Sequence, residues 1–330
     1  MTDLSALGEG TGGLWTRAQA LALVSSDRIS SFLHDGSWQS PFRGVYGDGG
    51  CQLAAVQWGF AAVLASGGAE QPKRLARTQD VCELRAVACA RTAARAFGIP
   101  LIDDDDPATG ALDRHAHDVA TWQHLRTVRS RSGLDTLHRH QLAPDRSELV
   151  RHVSGLWLTS PPRTLLDLAA LVQPDALVCA FDHCLNRGLV RREELLAQAE
   201  HRRRLPWTRS FVQAVGVADG GAQSPAETLA RLALKPHLPG LRCQVELYDD
   251  AARLVARFDL GDEELRLAVE SDGKRGHAGS VMVAKDRRRD RRTEVYGWRT
   301  ERVTWFELRR DRDAFVRRVL AVAERRRGRR

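Results

Sequence analysis

The sequence predicts an α/β protein in three parts. A mixed sheet flanked by helices fills the last third, a mostly helical region precedes it, and a small helix-turn-helix with a β-wing opens the chain. Three observations predict this. From Ser224 the residue pattern reads helix, three strands, helix, strand, helix. Between about residues 49 and 218 the better-defined apolar runs recur at helical spacing. Ahead of them, two short helix-like runs lead into an extended aromatic stretch containing Pro41 and Gly44. A chain of 330 residues is long for one typical domain. The expected organisation is a winged helix-turn-helix at 1–48, a mostly helical middle at 49–218, a linker at 219–223 and the α/β sandwich at 224–330.

The elements follow in order. Leu14–Val24 reads as a helix with Thr16 as a candidate cap; Ser26 or Asp27 caps a second helix ending near His34, and Gly36 follows as a stop. That second helix presents Arg28, Ser30, Ser31 and His34, and Trp38–Tyr46 is the wing. A plain helical hairpin is the alternative. Cys51–Leu64 and Cys82–Phe97 are Ala-rich helical stretches, and Val119–Val128 and Gly133–Leu142 are polar and weakly extended. Thr159-Ser160-Pro161-Pro162 starts a clear helix, because proline is tolerated in a first turn and Ser or Thr caps it. Asp175–Leu185 and Arg192–Ala199 continue the helical pattern. Asp219-Gly220-Gly221-Ala222-Gln223 is a joint. Ser224-Pro225-Ala226-Glu227 opens the next helix as a capping box.

The chemistry concentrates in Arg257–Lys274. Phe258, Leu260, Leu265, Leu267 and Val269 alternate with polar residues, the mark of half-buried strands. A turn centred between Glu263 and Glu264 would set Asp259 across from Ala268, with Glu270 diagonal to it at roughly 7–8 Å. Carboxylates crowded on one sheet face repel, and a divalent cation relieves that repulsion. The charge agrees with a polyanionic partner. Residues 224–330 carry 26 basic and 18 acidic side chains, whereas residues 1–223 are balanced. Nearly all of the excess is arginine, whose rigid fork suits phosphate oxygens. Arg28, Arg257, Arg275 and Arg289 are candidate nucleic-acid contacts.

This element order, with Phe258-Asp259-Leu260, Val269-Glu270-Ser271-Asp272-Gly273, His277, Asp286 with Arg289, Gly297-Trp298 and Arg302-Val303-Thr304-Trp305, resembles the restriction-endonuclease-like PD-(D/E)XK superfamily. The closer likeness is to its very-short-patch-repair-like branch, and it covers about residues 224–325. The resemblance implies a DNA endonuclease in which Asp259 and Glu270 hold Mg²⁺ or Mn²⁺. Glu227 either completes the metal shell, orients the attacking water, or serves only its capping box. Asp272 stands where the superfamily carries a lysine, and Asp272-Gly273-Lys274 offers Lys274 as a substitute. His277 is a candidate proton donor or phosphate contact. Thr16–Ala20, Arg43–Tyr46, Ala94–Pro100 and Leu158–Leu171 resemble abortive-infection antitoxin-type regulators. That likeness implies a winged-helix head and, as a second reading of the whole chain, a catalytically inactive DNA-binding regulator with a toxin or regulatory protein partner.

Other classes are disfavoured. Gly8–Gly13 lacks the Lys-Ser or Lys-Thr of a phosphate-binding loop, and no G-x-S-x-G elbow is present. His115, His117, His138, His140 and His152 lack zinc-ligand spacing. Residues 1–5 have neither part of a secretory signal, no apolar run spans a bilayer, and the six cysteines show no C-x-x-C. A cytoplasmic location without a membrane is expected.

Overall fold

The computed structural model describes residues 7–68, 81–102, 116–122, 128–129, 136–272 and 291–328. The chain divides into two compact units, Met1–Leu177 with Val190–Gln213, and Val178–Leu189 with Ala214–Arg330. Helices and mixed sheets occur together, as the α/β class requires.

The first unit opens with β1 (Leu14–Thr16), α1 (Arg17–Leu21), α2 (Ser26–His34), β2 (Trp38–Gln39) and β3 (Val45–Asp48). The strands form a sheet in the order β1-β3-β2. Leu14–Val24 is therefore not one helix. Its first turn is claimed by pairing of Leu14 with Gly47 and Trp15 with Tyr46, which lie too far along the chain for local pattern to reveal. Thr16 caps α1 in a capping box with Gln19, and Ser25 rather than Ser26 caps α2. Trp15, Ala20, Ile29, Trp38 and Tyr46 form the small core under the helices.

The middle of this unit holds more strand than its helical patterning suggests. After α3 (Ala55–Ala65), Cys82–Phe97 splits into a 3₁₀ turn, β4 (Ala86–Ala88) and α4 (Ala90–Ala96). β4 joins β5 (Ala116–Thr121), β6 (Val128–Arg129), β7 (Thr136–Gln141), β8 (Leu149–Arg151) and β9 (Trp157–Thr159) in a six-stranded sheet ordered β6-β7-β5-β4-β9-β8. β5 is buried along its whole length, so the polar/apolar alternation that marks a half-exposed strand is missing. Phe60, Val63, Val119, Leu137, Leu156 and Leu158 share one core with Leu14, Phe42 and Val45 of the winged head. Ser160 precedes α5 (Pro161–Leu168) without a side-chain cap, while Thr159 and Thr164 hydroxyls meet at 2.8 Å. Next in the chain come α6 (Pro174–Asn186), which belongs to the second unit from Val178 on, α7 (Arg192–His201), and α8 (Thr208–Val217), which belongs to the first unit up to Gln213.

The second unit is built on α9 (Pro225–Leu234), β10 (Arg242–Tyr248), β11 (Leu254–Asp262), β12 (Leu267–Asp272), β13 (Arg299–Thr304), α10 (Trp305–Arg310) and α11 (Arg312–Arg327). Residues 291–295 are helical. The sheet runs β10-β11-β12-β13, antiparallel except for the parallel β12/β13 pair. α9 packs against β11, β12 and the last two helices. Phe258 stacks on Trp298 at 4.7 Å in a second cluster with Val245, Ala256 and Ala268. Ala268, expected to lie away from the core, is thus fully buried, because the sheet is covered on both faces. A Cβ on Gly261 would stand 2.9 Å from that of Val245, so glycine lets β10 and β11 close there.

The hairpin register differs from the expected one by two residues. Gly261, not Asp259, pairs with Ala268, and the turn occupies residues 263–266. Leu265 leaves the strand and is buried in the turn, where its amide donates to Asp262 Oδ1 at 3.0 Å.

Candidate functional site

Two strands of the second unit part company where the carboxylates lie. The β11/β12 ladder covers Leu260–Asp262 with Leu267–Val269; the next position outward on each strand is Asp259 and Glu270. Upstream of Leu260, β11 runs beside β10, while Glu270–Asp272 runs beside β13. In the crotch of this fork the Asp259 carboxylate replaces backbone pairing. Its Oδ2 accepts from the Ser271 amide at 2.9 Å and from the Ser271 hydroxyl at 3.1 Å. Among the described residues, Oδ1 takes no hydrogen bond.

A second carboxylate reaches this point from α9. Ser224 caps the helix by accepting from the Glu227 amide at 3.2 Å. Glu227 is buried. Its Oε2 accepts from the Gln223 amide at 2.9 Å and from Gln244 Nε2 at 3.0 Å; its Oε1 accepts from the Ser224 hydroxyl at 2.9 Å. Burial pushes the Glu227 carboxyl above its ordinary value. The Gln223 amide works against that shift, and the negative charge of Asp259 adds to it. The two carboxylates are therefore within electrostatic reach of one another. Gln244 sits on β10 between the pairs Cys243↔Leu260 and Val245↔Phe258, with a left-handed φ of 53°. A non-glycine residue there carries strain of the kind that clusters at functional sites.

Of the residues singled out in the sequence, Glu227 feels the charge of Asp259, and the two share no hydrogen bond. Glu270 is half-buried and lies in register with Arg302 of β13. Alternation outward from the Leu260↔Val269 pair puts the Asp259 and Glu270 side chains on the same face of the sheet. Arg257 is exposed on β11 in register with Glu246. Asp272 ends β12, and its side chain lies outside the described residues, as do Lys274, Arg275, His277, Asp286 and Arg289. Ser271 and Gln244 were not legible as site residues: nothing in a sequence announces a left-handed glutamine. In the winged head, Arg28, Ser30, Ser31 and His34 are all exposed on α2. Arg28 lies over the Phe32 ring at 4.8 Å. A groove of about 520 Å³ runs between α2 and β2, lined by Ser30, Leu33, His34, Trp38, Gln39 and Ser40.

The donor set at the fork fits a hard cation in one respect. A half-buried carboxylate with one oxygen anchored and the other without a hydrogen bond is a suitable ligand. A different acidic group gathers in the first unit, where ligand atoms of Asp145, Glu148 and His201 lie within 4.8 Å of one another. Guanidinium groups already neutralise it. Arg163 meets Glu148 at 2.6 Å, and Arg202 meets both Glu148 and Asp145. Gln198 donates to Glu148 at 2.7 Å, and the whole reads as a structural ion network.

Fold and site together define an α/β protein whose C-terminal unit carries acidic side chains at the fork of a mixed sheet. No protein-family model matches the chain. Over 174 residues it is 27% identical to "Uncharacterized protein MT2308" and, equally, to "Uncharacterized protein Rv2248", from the CDC 1551 / Oshkosh and ATCC 25618 / H37Rv strains of Mycobacterium tuberculosis. The match takes in 52% of this chain and 63% of each curated relative, so the chain spans less than two thirds of their length. Among the described residues, no helix is long and apolar enough to cross a membrane.

Proposed function

We propose that the chain is a metal-dependent DNA endonuclease of the restriction-endonuclease-like kind, with a DNA-binding or regulatory winged head. The observation that carries the reading is the Asp259 carboxylate anchored at the strand fork by Ser271, its other oxygen taking no hydrogen bond among the described residues, in a unit that holds the chain's arginine excess. Asp259 is the first ligand for Mg²⁺ or Mn²⁺. Glu270, next in the ladder, and Glu227, across from α9, compete for the second place. When bound, the ion supplies charge stabilisation at the scissile phosphate and lowers the pKa of a water. The chain's own groups do the rest. Ser271 fixes the Asp259 carboxylate, and Gln244, Gln223 and Ser224 fix that of Glu227. The elevated Glu227 carboxyl is suited to take a proton from water and return it.

One observation favours a second reading, a DNA-binding regulator without cleavage: both Glu227 oxygens are already engaged. Plasmid nicking in Mg²⁺ or Mn²⁺ separates the two. Hydrolysis predicts cleavage by wild type that Asp259→Ala abolishes, with Glu270→Ala and Glu227→Gln identifying the second ligand. Absence of cleavage in either metal, with DNA affinity kept or improved in Asp259→Ala, leaves the regulator.

A further inference from the structure

The geometry points to a base-stacking platform on α10 that holds a single-stranded or locally unpaired segment of DNA beside the fork. Phe306 is 61% exposed, a larger exposed fraction than that of Tyr248 on β10 (49%), while Phe258 and Trp298 are buried. The Arg310 guanidinium lies over its ring, 4.6 Å from the centroid. One residue earlier the arrangement repeats, with Arg309 over Trp305 at 5.7 Å. Both pairs are four residues apart, the spacing at which helical side chains meet. The Phe306 ring has area left for a second planar partner, and a nucleobase is a planar partner whose backbone supplies the anion that Arg310 would meet. A groove of about 320 Å³ lined by residues 308–313 continues the surface. Three arginines face two aspartates in that groove, and Asp311 is spent capping α11. The charge of the whole unit selects a polyanion over a neutral protein surface.

Position ties the platform to the site. Ser271, which holds Asp259, is in register with Val303. One inter-strand spacing is about 4.8 Å, and three residues of chain reach at most about 10 Å further, to Phe306. The two points are therefore within about 15 Å, which is about four nucleotides at roughly 3.4 Å each. The inference rests on the hydrolytic reading for the purpose of the platform, and its binding test does not.

The test uses the full chain in EDTA, fluorescence anisotropy, and a labelled 20-nucleotide single strand beside its duplex. The single strand is the diagnostic probe, because a DNA-binding head, as proposed above, would add to duplex affinity. Phe306→Ala and Phe306→Leu should bind the single strand about tenfold more weakly, the loss expected for one stacked base. Phe306→Trp should retain wild-type affinity, and duplex binding should change less. Arg310→Ala should lower the dependence of affinity on salt by about one charge, whereas Phe306→Ala should leave it unchanged. Single-strand affinities equal to wild type in Phe306→Ala and Phe306→Leu overturn the platform. So does a Leu variant that binds as well as the Trp variant, since packing without stacking would then suffice. Wild type that never cleaves while Phe306→Ala loses affinity removes the hydrolytic reading and keeps the platform. Asp259-dependent cleavage with unaltered Phe306→Ala binding does the reverse.

Discussion

Glu148→Gln tests the ion network that anchors the first unit. The Glu148 side chain is 2% exposed and is held by Arg163, Arg202, Gln198 and the Asp145 amide. Burial opposes its ionisation, yet the hydrogen bond from Arg202 and the charge of Arg163 bring the carboxyl from 4.5 down to about 2. A depressed carboxylate stabilises the fold above its unfolded pKa, and the contribution fades as pH falls through its folded one. A drop of about 2.5 units, at about 1.36 kcal/mol each, is about 3 kcal/mol. Glutamine keeps the shape and removes the charge, leaving two arginines without their shared partner. The stability gap between wild type and Glu148→Gln should therefore reach about 3–5 kcal/mol at pH 7. It should narrow by about 3 kcal/mol as pH falls from about 4.5 towards 2. Urea unfolding followed by tryptophan fluorescence reports mainly on this unit, which holds Trp15, Trp38, Trp58, Trp122, Trp157 and Trp207. A gap that stays constant with pH, or one below about 1 kcal/mol at pH 7, would refute the reasoning.

Asp167 should behave in the opposite sense. Burial lifts its carboxyl from 3.8 to about 6, against the pull of Arg163, so ionised Asp167 costs stability at neutral pH, and that cost disappears as pH falls from about 6 to about 4. Asp167→Asn keeps an acceptor for Arg163 Nε and should be the more stable protein at pH 7.5, its advantage gone by pH 4; the same unfolding series, repeated on this variant, would contradict this if the order were inverted. In the second unit, Arg231 pairs with buried Asp182 at 2.8 Å. Arg231→Met strands that carboxylate and should cost about 3–5 kcal/mol at pH 7 in calorimetry, less in acid; a loss under about 1 kcal/mol would show that the Thr228 hydroxyl and Asp219 amide suffice.

Much of the C-terminal unit was legible because its signals are local. Ser224 caps α9 as its spacing implies, although Glu227 accepts from the Gln223 amide rather than closing the expected capping box, and the three strands after α9, the later strand and the last helix follow in the expected order. Asp259 was legible as a candidate, since a carboxylate between Phe258 and Leu260 stands out on an apolar strand. The middle of the chain was harder to read. β5 is buried throughout and β4 is three alanine-rich residues, so neither shows a period of two, and the two pair with each other across more than 30 residues of chain.

Sequence by itself determined the element order of the C-terminal unit, the Ser224 cap, the arginine excess and the presence of acidic groups on the central hairpin, all properties of neighbours within a few positions. Only the tertiary structure decided which carboxylate meets which. A two-residue change of register, a left-handed backbone at Gln244 and the parting of β11 from β12 place Ser271 against Asp259 and set Glu227 of a distant helix within reach of its charge. Register and strand separation are set by packing on both faces of the sheet, a balance among residues far apart in the chain, which no local pattern encodes.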